Sequence, residues 1–268
     1  MNTNIPKHVS VLLLNAKEMN SIHFVNGSNQ LHPYRLLSSE IHYRYVNTKL
    51  EQLLQQYQDH SHVNLSGEDL TDEDMNIILN EVIIKKECKQ LLLESNKITS
   101  IGVSILAQGL HNNNSLNYLD LSHNQISDDG IATLVKILAT NNQTLTKLGL
   151  AKNQITDEGM KCLVELIKKN RTLTQLDLCS NKIGNKGTCL LMNAITNHQS
   201  TIEVLWLMNN PLISDESVDS IIQMIKQTRS LKRLWIFKCS LSEISKRKLK
   251  ALEPTKLNFK VYVDNWKN

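Results

Sequence analysis

Two aspartates occupy matching settings, Tyr118-Leu-Asp120-Leu and Gln175-Leu-Asp177-Leu. A pair of carboxylates is the smallest set that could do general acid and base work. Two tryptophans follow the same pattern, in Val204-Leu-Trp206-Leu and Arg233-Leu-Trp235-Ile. Trp, Tyr and Arg are the types enriched where proteins bind proteins. His60-Ser-His62 sets two imidazoles on one side of an extended segment, but a metal needs three or four ligands and no others fall at a suitable spacing. Five cysteines, an odd number spread along a chain of 268 residues, do not form a disulfide framework, so reduced thiols are expected. Phosphate-cradling loops, dinucleotide fingerprints, HExxH helices and GxSxG elbows are all missing from the sequence, and no cofactor or metal is expected.

What positions these residues is a repeat. The segment LNYLDLSHNQI, starting at Leu116, returns as LTKLGLAKNQI and LTQLDLCSNKI. Its first apolar position falls at His60, Cys88, Leu116, Leu145, Leu173, Ile202 and Leu231, a ruler of 28 or 29 residues. The first unit is the weakest, with His60 and Glu68 where Leu and Asn are usual. Alternation around each xxLxLxx predicts a short strand with its two Leu inward. A turn and a helix should follow: Ser127 and Thr156 each precede two acids, as N-caps do. Gly130, Leu134 and Leu138 then recur as Gly159, Leu163, Ile167 and as Gly187, Leu191, Ile195, one helical face. A strand and helix this small cannot bury their apolar sides alone, so the units must stack. Asn96, Asn124, Asn153, Asn181 and Asn210 sit where the chain leaves each strand, placed to satisfy buried backbone groups, and Cys239 takes that place in the last full unit.

These motifs resemble leucine-rich repeats, and units of 28–29 residues with a full helix resemble the ribonuclease-inhibitor-like subfamily. The resemblance implies an α/β fold: a right-handed solenoid of about seven repeats, with a parallel concave sheet and convex helices. It covers residues 60–252. Residues 1–59 are expected to form an N-terminal cap, a strand at VSVLLLN followed by a helix through Leu36, Leu37, Ile41, Tyr45, Leu50, Leu53, Leu54 and Tyr57. Residues 253–268 are expected to form a C-terminal capping strand, from the alternation of Leu257, Phe259, Val261 and Val263. The resemblance also implies protein recognition through the concave sheet, as in inhibitors, immune sensors and effectors of intracellular bacterial pathogens. A ribonuclease target is not expected, since the regular cysteines of the long inhibitors are missing. Nor is the catalytic domain expected that some bacterial leucine-rich-repeat ubiquitin ligases carry after their repeats.

The third, fifth and seventh positions of each unit should face the concave side. The fifth column runs Asn64, Leu92, Asp120, Gly149, Asp177, Trp206, Trp235 and, if the last strand adds in register, Tyr262. At a strand spacing of about 4.8 Å the three rings would form an aromatic ladder, flanked by Met208, Phe237 and Arg233. Contiguous apolar surface of this kind marks an interaction site, unless residues near Trp266 fold back over it. Cys179, in the seventh column, is expected to be exposed. Mid-sheet, Tyr118, Asp120, Lys147 and Asp177 suit charged recognition. Two strands apart, the carboxylates stand roughly 10 Å from each other, beyond the separation of about 6.5–9.5 Å in inverting glycosidases, and an open sheet does not exclude water.

Composition agrees with a folded binding protein: 41% hydrophobic and 21% charged residues, with a net charge of +4, too small to imply nucleic acid or an anionic membrane as partner. VSVLLLNA is shorter and less basic at its front than a secretory signal. The sequence therefore leads us to expect a non-enzymatic, cytoplasmic module, or one secreted without a signal peptide into a host cell. It would dock a protein partner, itself an enzyme in one version, and inhibit or mask it. The alternatives are an adaptor joining two proteins and, more remotely, an enzyme using Asp120 and Asp177.

Overall fold

Leu, Ile and Val at the fourth and sixth positions of every unit point away from the concave wall and carry the core. Val63 and Leu65, Leu119 and Leu121, Leu176 and Leu178, Leu234 and Ile236, and Val261 and Val263 are all buried. Burying one such side chain contributes about 1.5–3 kcal/mol, and the same pair recurs in each strand, so the register cannot slip without exposing the whole set. The computed structural model describes residues 45–57, 61–111, 113–140 and 142–264. The chain divides into two compact parts, Met1–Gln56 and Tyr57–Asn268.

In the first part, α1 spans Thr48–Gln55 and is capped by Asn47, whose Oδ1 accepts from Leu50 N at 3.0 Å. The helix takes in Leu50, Leu53 and Leu54 but neither Tyr45 nor Tyr57. The expected strand at VSVLLLN, and Leu36, Leu37 and Ile41, lie outside the described residues.

The second part holds the repeats. Its strands are β1 (His62–Asn64), β2 (Gln90–Leu92), β3 (Tyr118–Asp120), β4 (Lys147–Gly149), β5 (Gln175–Asp177), β6 (Val204–Trp206), β7 (Arg233–Trp235) and β8 (Lys260–Tyr262). They form one parallel sheet in chain order. The helices α3 (Ser100–Leu110), α4 (Ser127–Leu138), α5 (Asp157–Lys169), α6 (Asn185–Asn197), α7 (Val218–Gln227) and α8 (Glu243–Lys250) return the chain. After β1 the return is irregular: a short 3₁₀ turn, α2 (Met75–Ile78), and a π-helical stretch Leu79–Ile84.

Each apolar helix position expected from the repeat is buried, including Leu134, Leu138, Leu163, Ile167, Leu191 and Ile195. Thr156 caps α5, its hydroxyl accepting from Glu158 N at 3.1 Å. Ser127 does not cap α4: it sits at φ 58°, and its amide donates instead to Asn153 O of the next unit at 3.0 Å. The unit beginning at Ile202 also departs from the pattern. Leu212 falls at the expected buried position but is exposed, while Ile213 is buried. One extra residue at Pro211 separates it from Asn210, and a turn closes from Ile213 N to Asn210 O at 3.1 Å.

The asparagines stitch neighbouring units together. Asn124 Nδ2 donates to Leu93 O of the preceding unit at 2.9 Å and to Leu121 O of its own at 3.0 Å, while Oδ1 accepts from Ile98 N at 3.0 Å. Asn96, Asn153, Asn181 and Asn210 repeat the arrangement. Cys239 keeps one part of it, its thiol donating to Leu207 O at 3.4 Å. A second row holds the turns after α4 and α5. Asn142 Nδ2 donates to Leu110 O and Asn170 Nδ2 to Leu138 O, while Oδ1 of each accepts from the amide three residues on. A third row joins helix starts: Asp72 accepts from Thr99 and Gly102, and Asp128 from Thr156. That contact explains Gly159, since a β-carbon there would stand 2.3 Å from Asp128 Oδ1.

Candidate functional site

Strand register alone decides which side chains share the inner wall. Pairing of Asp177 with Trp206, Trp206 with Trp235 and Trp235 with Tyr262 puts the expected column in line through the last strand. Trp235 lies flat on Tyr262, with centroids 3.6 Å apart and planes 8° from parallel. Phe237 meets Trp235 edge-on at 6.3 Å. Trp206, Met208, Trp235, Phe237 and Tyr262 are each half-buried, and Arg233 is exposed beside them. Stacked rings of this kind contribute about 0.5–1.5 kcal/mol beyond the area they bury. Trp266, named above as a cover for these rings, lies outside the described residues.

The middle of the wall carries charge in a tighter arrangement than spacing suggests. The Tyr118 hydroxyl donates to Asp120 Oδ2 at 2.8 Å, and Ser122 N donates to Oδ1 at 3.0 Å. Lys147 Nζ lies 5.8 Å from the Tyr118 ring centre. Burial, and then the charge of Asp120 and its hydrogen bond, push the Tyr118 phenol well above its ordinary value. Asp177 Oδ1 accepts from Cys179 N at 2.8 Å. Burial raises the Asp177 carboxyl, with a smaller push from Asp120 against the Cys179 hydrogen bonds and His123.

Cys179 is buried, not exposed as its column suggested, with Ser122 and Ala151 of the same column. At the seventh position the chain is already leaving the strand, and the Cys179 amide turns to the Asp177 carboxylate. Burial pushes the thiol well up, the nearby carboxylate adding to it, the opposite of what a nucleophile requires. Val204, in the third column, is buried as well. His62 Nδ1 lies 3.1 Å from Gln90 Oε1, and His60 is outside the described residues. Among the described residues no group of three or more His, Cys, Asp or Glu could hold a metal, and no helix is long and apolar enough to cross a membrane.

Two roles on the wall escaped the sequence reading. Lys260 pairs with Arg233 in register and extends the third column by one cation; continuing the ruler into the closing strand would have found it. Gly149, between Asp120 and Asp177 in the fifth column, leaves the space into which the Asp120 carboxylate leans.

Residues 112–135, 141–164 and 169–188 match the model of the leucine-rich repeat. Among solved structures the chain is similar to the leiomodin-1 actin-binding site 2, at 16% identity over 77% of this chain and 93% of that one, with a TM-score of 0.45. It is also similar to an internalin from Listeria monocytogenes, at 20% identity over 77% of this chain and 54% of that one, with a TM-score of 0.44. No curated protein matches the chain. Eight parallel strands on one repeat ruler, with three stretches matching that model, give the chain a leucine-rich-repeat fold.

Proposed function

We propose that this chain is a non-enzymatic binding module that docks a partner protein on its concave wall and acts by covering a surface of that partner. The observation that carries this reading is the aromatic column, in which Trp206, Trp235 and Tyr262 share one register and Trp235 is stacked on Tyr262 with Arg233 alongside. These are the residue types that dominate binding energy at protein interfaces. Tyr118, Asp120, Lys147 and Asp177 supply register and discrimination farther along the wall, where fixed charges reject a mismatched partner. Their carboxylates are held by a phenol and backbone amides, an arrangement that supports recognition over proton transfer. Masking or inhibition is the mechanism open to such a wall, and units of 28–29 residues support the ribonuclease-inhibitor-like reading.

The test is affinity capture on the purified chain, followed by titration of the captured protein. Trp206→Ala and Trp235→Ala should each weaken the complex by about 2 kcal/mol or more while leaving the fold intact. Unchanged affinity in both variants overturns the site. If the captured protein is an enzyme, its activity should fall stoichiometrically with added chain.

A further inference from the structure

We propose that the end of the wall formed by β6, β7 and β8 takes an acidic segment of the partner protein, with a carboxylate over Arg233 and a neighbouring apolar side chain over Trp235. The inference rests on the concave wall being a protein-binding face, and it names the chemistry of what that face receives.

Charge along the chain is segregated. Between Lys226 and Lys260 there are eleven Lys and Arg against two acids, Glu243 and Glu253, a surplus of nine in a chain whose total is +4. Everything outside that stretch is therefore net acidic. The segregation reaches the wall itself: Glu94, Asp120 and Asp177 on the units of β2, β3 and β5 outnumber the one cation among them, Lys147 on β4, whereas Arg233 and Lys260 stand side by side on β7 and β8. Arg233 is exposed, and among the described residues it has no ion-pair partner. A guanidinium offers a planar fork matched to a carboxylate. Trp235 lies two residues on, on the same face, roughly 6.6 Å along the strand. One strand therefore presents a cation and a ring to two nearby side chains of a partner. The carboxylates of β3 and β5 repel an acidic segment placed toward them, which fixes the end of the wall it occupies.

Cations beside aromatic rings also serve single-stranded nucleic acid, but two features favour protein. Glu203 pairs with Lys232 at 2.8 Å, and Glu253 lies 3.7 Å from Lys260, so carboxylates interrupt the positive track that a phosphate backbone follows. One face of Trp235 is already covered by Tyr262 at 3.6 Å, which leaves no slot for a base between the two rings.

Fluorescein-labelled synthetic peptides titrated into the full chain test the proposal. One alternates Glu with Phe and Leu, a second has Gln for Glu, a third has Lys for Glu, and an oligothymidylate completes the set. The Glu peptide should bind tightest and weaken with added salt. Arg233→Glu should reduce its affinity at least about tenfold, while Lys136→Glu, the same charge change on the far side in α4, should not. Equal binding of the Glu and Gln peptides overturns the acidic assignment, as does a Glu peptide indifferent to Arg233→Glu. Tighter, Arg233-dependent binding of oligothymidylate overturns it in favour of nucleic acid. Loss of the captured partner on Trp235→Ala is read separately: if that loss occurs while the Glu peptide fails, the binding face stands and only its acidic chemistry falls.

Discussion

Gly149 on β4 makes room for Asp120 on β3: a β-carbon on Gly149 would stand 2.3 Å from Asp120 Oδ1 and 2.8 Å from its Cγ. The carboxylate cannot simply swing away, because Tyr118 Oη and Ser122 N hold its two oxygens. Gly149→Ala should therefore destabilise the chain by about 1–3 kcal/mol, the range for a forced shift in a packed setting, as read from a thermal melt. In an Asp120→Ala background the same substitution should cost less, since the clash and the anchored group are then both gone. The Tyr118 phenol, held up in part by Asp120, should titrate lower in Gly149→Ala, followed by tyrosinate absorbance.

Asn153 is fully buried and links three units. It donates to Leu121 O at 2.9 Å and to Ala151 O at 3.1 Å, accepts from Ile126 N, and its own amide donates to Asn181 Oδ1 at 2.9 Å. Asn153→Ala leaves the buried Ile126 amide without its acceptor and takes one of two donors from Leu121 O and from Ala151 O, a loss of about 1–3 kcal/mol. Cys239→Ala removes only one long thiol contact at 3.4 Å and should cost clearly less. Equal melts for the two variants would contradict the ladder as a source of stability.

The wall could be read from sequence because its geometry follows from period two and a fixed repeat. Once Leu119 and Leu121 are inward, Tyr118 and Asp120 have no choice but to face the other way, and the same rule puts Trp235 beside Tyr262. The rule weakens where backbone and side chain stop alternating. Cys179 sits two residues past the strand, where its amide donates to Asp177 and its side chain is buried. Leu212 loses the core to Ile213 through one extra residue at Pro211. The role of Asp128 depends on where Thr156 of the next unit lies in space, which no local pattern encodes. Asn142 and Asn170 did leave a signal, each three residues before the first Leu of a unit, but Asn is so common in turns that its reach back to the previous helix is visible only in the fold.

Three of the five thiols, Cys88, Cys179 and Cys239, should be silent in the native chain. Burial pushes Cys88 up to about 12 and Cys239 to about 11, and Cys179 is raised by burial and by Asp177. The reacting species is the thiolate, so a disulfide reagent at neutral pH should leave these three unmodified until denaturant is added. Rapid native labelling of Cys179, located by peptide mapping, would mean that the seventh column opens to solvent.

Asp177 gives the wall a pH signature. Its carboxyl is raised mainly by burial, so the folded chain holds that proton more tightly than the unfolded one, whose value is about 3.9. The contribution to stability is full below the unfolded value and is lost as pH rises through the raised folded value, after which the charged, buried form leaves a constant penalty. Asp177→Asn removes the titration and keeps an acceptor for Cys179 N. The melting temperature of the variant minus that of the wild type should therefore climb from acid toward neutral pH and then level off. A difference that stays flat across that window would show Asp177 to be solvated like an ordinary surface acid.

Trp235 touches Tyr262 face-on and Phe237 edge-on, so the two ends of the column should respond differently to truncation. Tyr262→Ala uncovers one face of Trp235 and removes a stacked pair worth about 0.5–1.5 kcal/mol beyond area, which should lower the melting temperature modestly and redshift the Trp235 emission. Trp206 lies at the other end of the column, on β6, and its truncation should act on binding more than on stability. If the partner is anchored by the column as a whole, a double-mutant cycle between Trp206→Ala and Tyr262→Ala should show non-additive losses in affinity, as expected for residues sharing one buried contact. Strict additivity would mean that the two ends meet the partner independently, or that only one of them meets it at all.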